Sequence, residues 1–158
     1  VRTVPEKRAR PLELAVLQQI DRWLDTAISN AQWSGDRPAL LRHTRDRSLI
    51  LLGFWRGFRS DELVNLRVEN IEVTPGQGMA CYLGRTKGDR QLQGRVFRCP
   101  ALSRLCPVMA FNAWINLVGL TEVPVFRKIY CWGHVAEEIL HPYTLITFLR
   151  CLIPQAGV

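Results

Sequence analysis

Gly57-Phe58-Arg59-Ser60-Asp61-Glu62-Leu63-Val64 is the stretch of this sequence that decides the fold. Gly57 ends a long apolar run, because glycine is a poor residue for a helix interior. Ser60 and the two acidic residues after it favour the start of a new helix, as an N-cap and as charges at its positive end. Arg59 therefore stands at a junction between two helices, where its planar, permanently charged guanidinium suits a phosphate.

The sequence before this junction predicts two helices. Residues 12–28 carry apolar side chains at helical spacing, and residues 29–38 predict a loop. A second helix follows over residues 39–55, where the apolar residues become continuous. That pattern indicates burial on all sides, so we expect this helix to be central.

The sequence after the junction changes from helical to strand periodicity. A short helix over residues 61–66 precedes three strands of a small antiparallel sheet, the last two joined by a basic hairpin. Val125-Phe126-Arg127 predicts an irregular segment, and Gly133 a loop. The fold class is therefore mainly α with a small antiparallel three-stranded β-sheet (α+β). The predicted strands are 71–73, 79–83 and 95–98, and the later helices are 107–117 and 142–153.

Composition favours one globular domain with a polyanionic partner. The chain has 158 residues, 47% of them hydrophobic and 22% charged, which is typical of a domain with a real core. Its net charge of +7 favours nucleic acid over an acidic membrane, since no run approaches ~18 apolar residues. Residues 1–11 are polar and basic with two prolines and predict an arm or interdomain linker.

The cysteines and histidines do not predict a metal site. The five cysteines form no C-x-x-C pair, so zinc binding is not indicated. Several, including Cys151, lie in apolar runs, which favours reduced, buried thiols in a cytosolic protein. His134 and His141 are too isolated to predict metal ligands. We expect no metal and no other cofactor.

Three segments around the junction resemble the first conserved box of the tyrosine recombinase (phage integrase) family. They are Arg47 to Phe54, Gly57 to Leu63, and Leu66 to Ile71. The family's hallmark there is a glycine, an apolar residue, the first catalytic arginine and a glutamate-leucine pair. The turn from Gly84 to Arg90 resembles the family's β-hairpin with the catalytic lysine. The resemblance extends over nearly the whole chain, from about residue 10 onward.

The resemblance implies cleavage and rejoining of double-stranded DNA through a 3′-phosphotyrosine intermediate, with no cofactor and no small-molecule substrate. Arg59 would bind the scissile phosphate, Lys87 would protonate the leaving oxygen, and Glu62 would orient the arginine. Further DNA backbone contacts would come from Arg85, Arg90 and Arg95.

Other parts of that machinery are not found in these 158 residues. The three histidines are followed three residues later by Asp46, Glu137 and Thr144, so none begins a His-x-x-Arg motif. The tyrosines do not lie where the nucleophile belongs. We therefore expect residues 12–158 to be a partial recombinase catalytic domain, truncated before the second catalytic box and inactive alone. The parent would be a cytoplasmic, bacterial or phage-encoded enzyme, tetrameric on two DNA sites.

Two other functions fit the same sequence. One is a non-catalytic DNA-binding or regulatory protein on a decayed integrase scaffold. The other is an unrelated helical interaction module whose basic charge only aids solubility.

Individual residues also have ordinary alternatives. Arg59 could pair with Glu62 at a helix start, and Lys87 could be a solvated turn lysine. We interpret the arginines at 37, 42, 45 and 47 as a solvated face. We interpret the five tryptophans as mostly core or rim packing residues and not as base-stacking platforms.

Overall fold

Helices and two small sheets make up this computed structural model, which describes residues 13–56, 60–74, 76–83, 95–120 and 124–157. The helices are α1 (Leu14–Ser34), α2 (Arg37–Arg56), α3 (Ser60–Val64), α4 (Pro107–Val118) and α5 (Pro142–Gln155), with a 3₁₀ turn at Val68–Asn70. The strands are β1 (Ile71–Thr74), β2 (Gly78–Leu83), β3 (Arg95–Pro100), β4 (Arg127–Ile129) and β5 (Val135–Ile139). The predicted fold class is confirmed. The predicted arm at residues 1–11 lies outside the described residues.

The loop predicted over residues 29–38 is wrong, because α1 continues through most of it. Only Gly35 and Asp36 separate α1 from α2. Gly35 has a φ of 71° and its backbone N–H bonds to the Ala31 carbonyl, which ends α1 in the left-handed conformation that favours glycine. Asp36 Oδ1 then accepts a hydrogen bond from the Ala39 backbone N–H at 3.2 Å and caps α2. A two-residue connection of this kind brings the helices together as neighbours.

Helix α2 is central, as its continuous apolar run predicts. The four consecutive residues 49–52 are all at most 6% exposed. Leu49 and Leu52 pack with α3, α4 and the three-stranded sheet, whereas Ile50 and Leu51 pack with α1 and α5. Since consecutive helix residues point about 100° apart, this helix is covered all around.

Strands β1, β2 and β3 form the predicted antiparallel sheet in sequence order. Met79 and Cys81 on β2 and Cys99 on β3 are buried. The alternate residues Tyr82 and Val96, which are paired across the strands, are exposed. One face of the sheet therefore packs on the core and the other is open, as strand alternation requires.

A second, two-stranded sheet was missed in the sequence. β4 and β5 pair antiparallel, with a register shift between Arg127 and Ile129. The prediction of an irregular segment at 125–127 is therefore wrong for its last residue, because β4 is too short to show alternation. Gly133 lies in the connecting turn with a φ of 90°, so its prediction as a loop residue is confirmed.

The last two helices agree with the sequence. α4 begins at Pro107 and ends at Gly119, whose φ is 71°. Buried Trp114 on α4 donates its indole N–H to the Val125 carbonyl at 2.8 Å, which fixes the segment that leads into β4. Within the described ranges, no helix is both long enough and apolar enough to cross a membrane.

The cysteines only partly follow their prediction. None of the five forms a disulfide, and Cys81, Cys99 and Cys106 are buried. Cys151, predicted to be buried from its apolar neighbours, is exposed, because the adjacent Leu152 takes the inward position on α5.

Candidate nucleic-acid interface

Most of the predicted catalytic and DNA-contacting residues lie outside the described part of the chain. Arg59 falls between α2 and α3, and Arg85, Lys87 and Arg90 fall between β2 and β3. Arg95 is the first residue of β3, with only its backbone described. Glu62 lies half-buried on α3. The roles proposed for these residues therefore stay predictions.

The elements that flank Arg59 and Lys87 share one hydrophobic core. Leu52 of α2 and Leu63 of α3 belong to the same buried cluster as Cys81 of β2 and Cys99 of β3. The two helices approach closely, since a Cβ placed on Gly53 would lie 3.5 Å from Leu63 Cδ2. Both segments that carry the predicted catalytic residues are thus anchored at each end to the same core.

The outer face of the three-stranded sheet is open and carries a cation. We call Ala80, Tyr82, Val96 and Arg98 the outer sheet face; Tyr82 pairs with Val96 and Ala80 with Arg98. Tyr82 is 45% exposed, Val96 is 49% exposed, and Arg98 is also exposed. Glu72, on β1, lies opposite Ala80 at the far edge of this face. An exposed arginine and tyrosine on the strands leading to residues 84–94 are suited to a DNA backbone.

The interpretation of the α2 arginines as a solvated face is wrong for Arg45. This side chain is buried, at 8% exposure. Its Nη2 lies 2.9 Å from Asp46 Oδ1, and its Nη1 donates to the Arg127 carbonyl at 3.1 Å. Burial raises the pKa of Asp46, and the neighbouring Arg45 charge opposes that rise. Arg45 therefore joins α2 to β4 and is not available to a ligand.

Arg47 is also committed to an internal contact. Its Nε lies 2.8 Å from Asp21 Oδ1 and its Nη1 lies 3.2 Å from Asp25 Oδ1, both on α1. Nη2 donates to the second Asp21 oxygen at 3.3 Å, so the Asp21 contact uses both carboxylate oxygens. Arg47 thus holds α1 against α2, and the solvated-face interpretation is wrong here too.

A groove of about 570 Å³ lies between α1, α2 and α4. Its charged lining comes from Asp21, Arg22, Arg47 and Arg104, above apolar residues of α4. None of the sheet residues and no residue of α3 lines it. The groove is therefore separate from α3 and from the three-stranded sheet, although α2 borders it.

The turn between β4 and β5 carries a group of parallel rings. Tyr130 and Trp132 stack with centroids 4.9 Å apart and an interplanar angle of 3°. The His134 ring lies 5.8 Å from Tyr130 at 16°, and Lys128 Nζ lies 5.1 Å from the Tyr130 centroid. We call these four residues the ring cluster. Their spacing of two along the chain is a signal that sequence reasoning could have used.

The described tryptophans follow the packing interpretation only in part. Trp114 is fully buried, in agreement with it. Trp33 and Trp132, at 94% and 71% exposure, are exceptions to it. Among the described residues, no three His, Cys, Asp or Glu side chains are grouped so that they could hold a metal ion.

Comparison with known proteins gives a similarity to a recombinase. No protein-family model matches this chain. Over 87 residues the chain is 34% identical to the integrase/recombinase xerD homolog of Selenomonas ruminantium. The match covers 54% of this chain and 25% of that protein, so the chain spans about a quarter of its relative's length. Together with the mainly helical fold and its small antiparallel sheet, this similarity supports a relationship to the site-specific recombinases.

Proposed function

We propose that this chain is part of the catalytic domain of a tyrosine-type DNA recombinase. The observation that carries the proposal is the 34% identity over 87 residues to an integrase/recombinase. The fold supports it, because the junction with the recombinase-like box lies between α2 and α3, which pack against the sheet. Double-stranded DNA is the proposed substrate.

Arg59 is proposed to bind the non-bridging oxygens of the scissile phosphate. A guanidinium can donate two parallel hydrogen bonds to a phosphate and stabilise the negative charge that grows in the transition state. Glu62, which is half-buried on the five-residue helix α3, is proposed to orient this arginine.

Lys87 is proposed to act as the general acid. When a tyrosine oxygen attacks the phosphorus, the 5′-oxygen leaves and requires a proton, which an ammonium group can supply. Arg85, Arg90 and Arg95 are proposed to contact the flanking backbone phosphates. Arg98, which is exposed on the outer sheet face, is proposed to add a further backbone contact.

The remaining catalytic groups of such an enzyme are not found in the printed sequence, which has no His-x-x-Arg motif. We propose that a second arginine, a histidine and the nucleophilic tyrosine are encoded outside these residues, and that the parent assembles as a tetramer on two DNA sites. A non-catalytic DNA-binding protein on the same scaffold is the alternative. Sequencing the flanking coding region distinguishes them: an open frame with both motifs supports the enzyme, and a stop codon supports the alternative.

The experiment that tests the phosphate role of Arg59 measures covalent complex on a nicked suicide substrate, using protein that includes the downstream motifs. Arg59→Ala should abolish the phosphotyrosine product and leave duplex binding within a few-fold. Arg104→Ala is the matched control and should form the covalent complex normally. Arg104 is an exposed arginine that lines the groove between α1, α2 and α4. Undiminished covalent complex in Arg59→Ala would show that the assignment is wrong.

A further inference from the structure

The ring cluster at the tip of the β4–β5 hairpin is not required by the core of the protein. Neither of the two buried hydrophobic clusters includes Tyr130, Trp132 or His134. Trp132 is 71% exposed although it is the largest side chain at the tip. Leaving such a large aromatic ring exposed gives up the stabilisation that its burial would provide, so a binding role for it has to be considered.

The tip is held firmly by the described structure around it. The Tyr130 backbone N–H donates to the His134 carbonyl at 2.9 Å, and the Gly133 N–H donates to the Tyr130 carbonyl at 2.9 Å. At the base of the hairpin, Arg45 donates to the Arg127 carbonyl at 3.1 Å. The stacked rings are thus presented on a fixed turn, which lowers the entropy cost of binding a flat ligand.

Lys128 is the cation beside the rings, with its Nζ 5.1 Å from the Tyr130 centroid. The turn itself, residues 130–134, contains no acidic side chain. The carboxylates Glu137 and Glu138 lie on β5, and Glu137 is near the position opposite Lys128, because Arg127 pairs with Ile139 and Ile129 with Val135. The whole chain has a net charge of +7.

We propose that the ring cluster binds unpaired DNA, with a base stacked on the indole of Trp132 and a neighbouring phosphate at Lys128. Aromatic faces accept any base, and a cation beside them follows the backbone, which is the combination found in single-strand binding sites. The proposal rests on the proposed function for its choice of DNA. It adds a second DNA contact, away from the sheet, that takes single-stranded segments.

The test compares a 12-nucleotide oligothymidylate with a duplex of the same length by fluorescence anisotropy, using the 158-residue chain. Trp132→Ala should weaken oligothymidylate binding by about 5- to 140-fold, the equivalent of one lost base stack. Its duplex binding should change less than two-fold. Trp33→Ala is the matched control, since Trp33 is also an exposed tryptophan, at 94% exposure, but lies on α1.

Two further variants separate stacking from loss of folding. Trp132→Phe keeps an aromatic face and should recover most of the affinity. Lys128→Gln should keep the stack but reduce the slope of log affinity against log salt by about 0.7, the value for one single-strand phosphate. Thermal unfolding of each variant reports whether the hairpin change disturbs the fold.

The outcomes distinguish this proposal from the proposed function. Equal oligothymidylate affinity in Trp132→Ala and Trp33→Ala overturns the stacking site while duplex binding still supports a recombinase. An equal loss of duplex and single-strand binding in Trp132→Ala also overturns it, because a general backbone contact would explain that result. Absence of duplex binding at low salt, with Trp132-dependent oligothymidylate binding retained, contradicts the proposed function and leaves the stacking site standing. Absence of binding to either DNA overturns both, and would favour a protein partner for the rings.

Discussion

Arg47 should contribute to folding and not to DNA binding, although it lies in the most arginine-rich part of the sequence. Its guanidinium contacts both oxygens of Asp21 and one oxygen of Asp25. Arg47→Met keeps most of the aliphatic stem and removes the charge and the hydrogen bonds. The perturbation therefore tests the α1–α2 contact with little loss of packing.

The magnitude follows from how much of each partner is buried. The Asp21 side chain is 14% exposed, so removal of Arg47 leaves a largely buried carboxylate without its cation. Removing a hydrogen bond to a charged group lowers the free energy of unfolding by roughly 1.5–3 kcal/mol. It falls short of the roughly 3–5 kcal/mol of a fully buried pair, because Arg47 itself is 30% exposed. Asp25 is 65% exposed, and its contact contributes less than about 0.5 kcal/mol.

We therefore expect Arg47→Met to lower the free energy of unfolding by about 2 kcal/mol. For a domain of this size the melting temperature should fall by about 4–8 °C. Urea unfolding followed by circular dichroism measures the free energy directly. A double-mutant cycle with Asp21→Asn should give a coupling of at least about 1 kcal/mol, and Asp25→Asn should behave almost as the wild type.

Duplex DNA affinity provides the second half of the test. Arg47→Met should bind duplex DNA within two-fold of the wild type at a temperature where both are folded. Arg98→Gln, on the outer sheet face, should show the reverse: unchanged unfolding and a salt slope lower by about 0.9, the value for one duplex phosphate. An Arg47→Met protein with normal stability and weakened DNA binding would refute the reasoning.

Two further predictions concern the pH dependence of stability and the turn before β2. Burial raises the pKa of Asp46 above its ordinary 3.8, so the native state holds the proton more tightly than the unfolded state. The stabilisation that results is complete below pH 3.8 and is lost as the pH rises through the raised pKa. Urea unfolding between pH 3 and 7 should therefore show wild-type stability falling relative to Asp46→Asn; a constant difference would contradict this. Gly78→Ala should lower the free energy of unfolding by more than the roughly 1 kcal/mol expected for the control Gly76→Ala. An added Cβ would meet the Cys99 carbonyl oxygen at Gly78, whose φ is 150°, but would meet no atom within 4 Å at Gly76. Equal losses of stability in thermal melts of the two variants would exclude that clash.

The parts of the fold that follow local patterns were predictable. Strand alternation gave β1 to β3, and the continuous apolar run gave the central position of α2. The extension of α1 to Ser34 was not predicted, because Ser29 and Asn30 suggest a loop by local preference. Burial of Ala31 at 4% exposure shows that packing outweighs this preference and keeps the helix intact.

The internal contacts of Arg45 and Arg47 could not be predicted, because their partners are distant in sequence. Arg47 bonds to Asp21, 26 residues earlier, and Arg45 bonds to the Arg127 carbonyl, 82 residues later. Neither separation leaves a periodic signal. A cluster of arginines in a basic chain therefore looks like a solvated face until the fold shows which cations have partners inside the protein.

The recombinase-like box spans the junction between α2 and α3. Its residues lie where α2 ends and α3 begins, and the helices on each side are fixed by Leu52 and Leu63 in the core that also holds Cys81 and Cys99. The proposed phosphate site at Arg59 would be supported by this single packed unit, so its geometry would depend on core residues. Core substitutions such as Leu63→Ala would disturb the supports of both predicted catalytic segments together. A change at an exposed groove residue such as Arg104 would leave those supports in place.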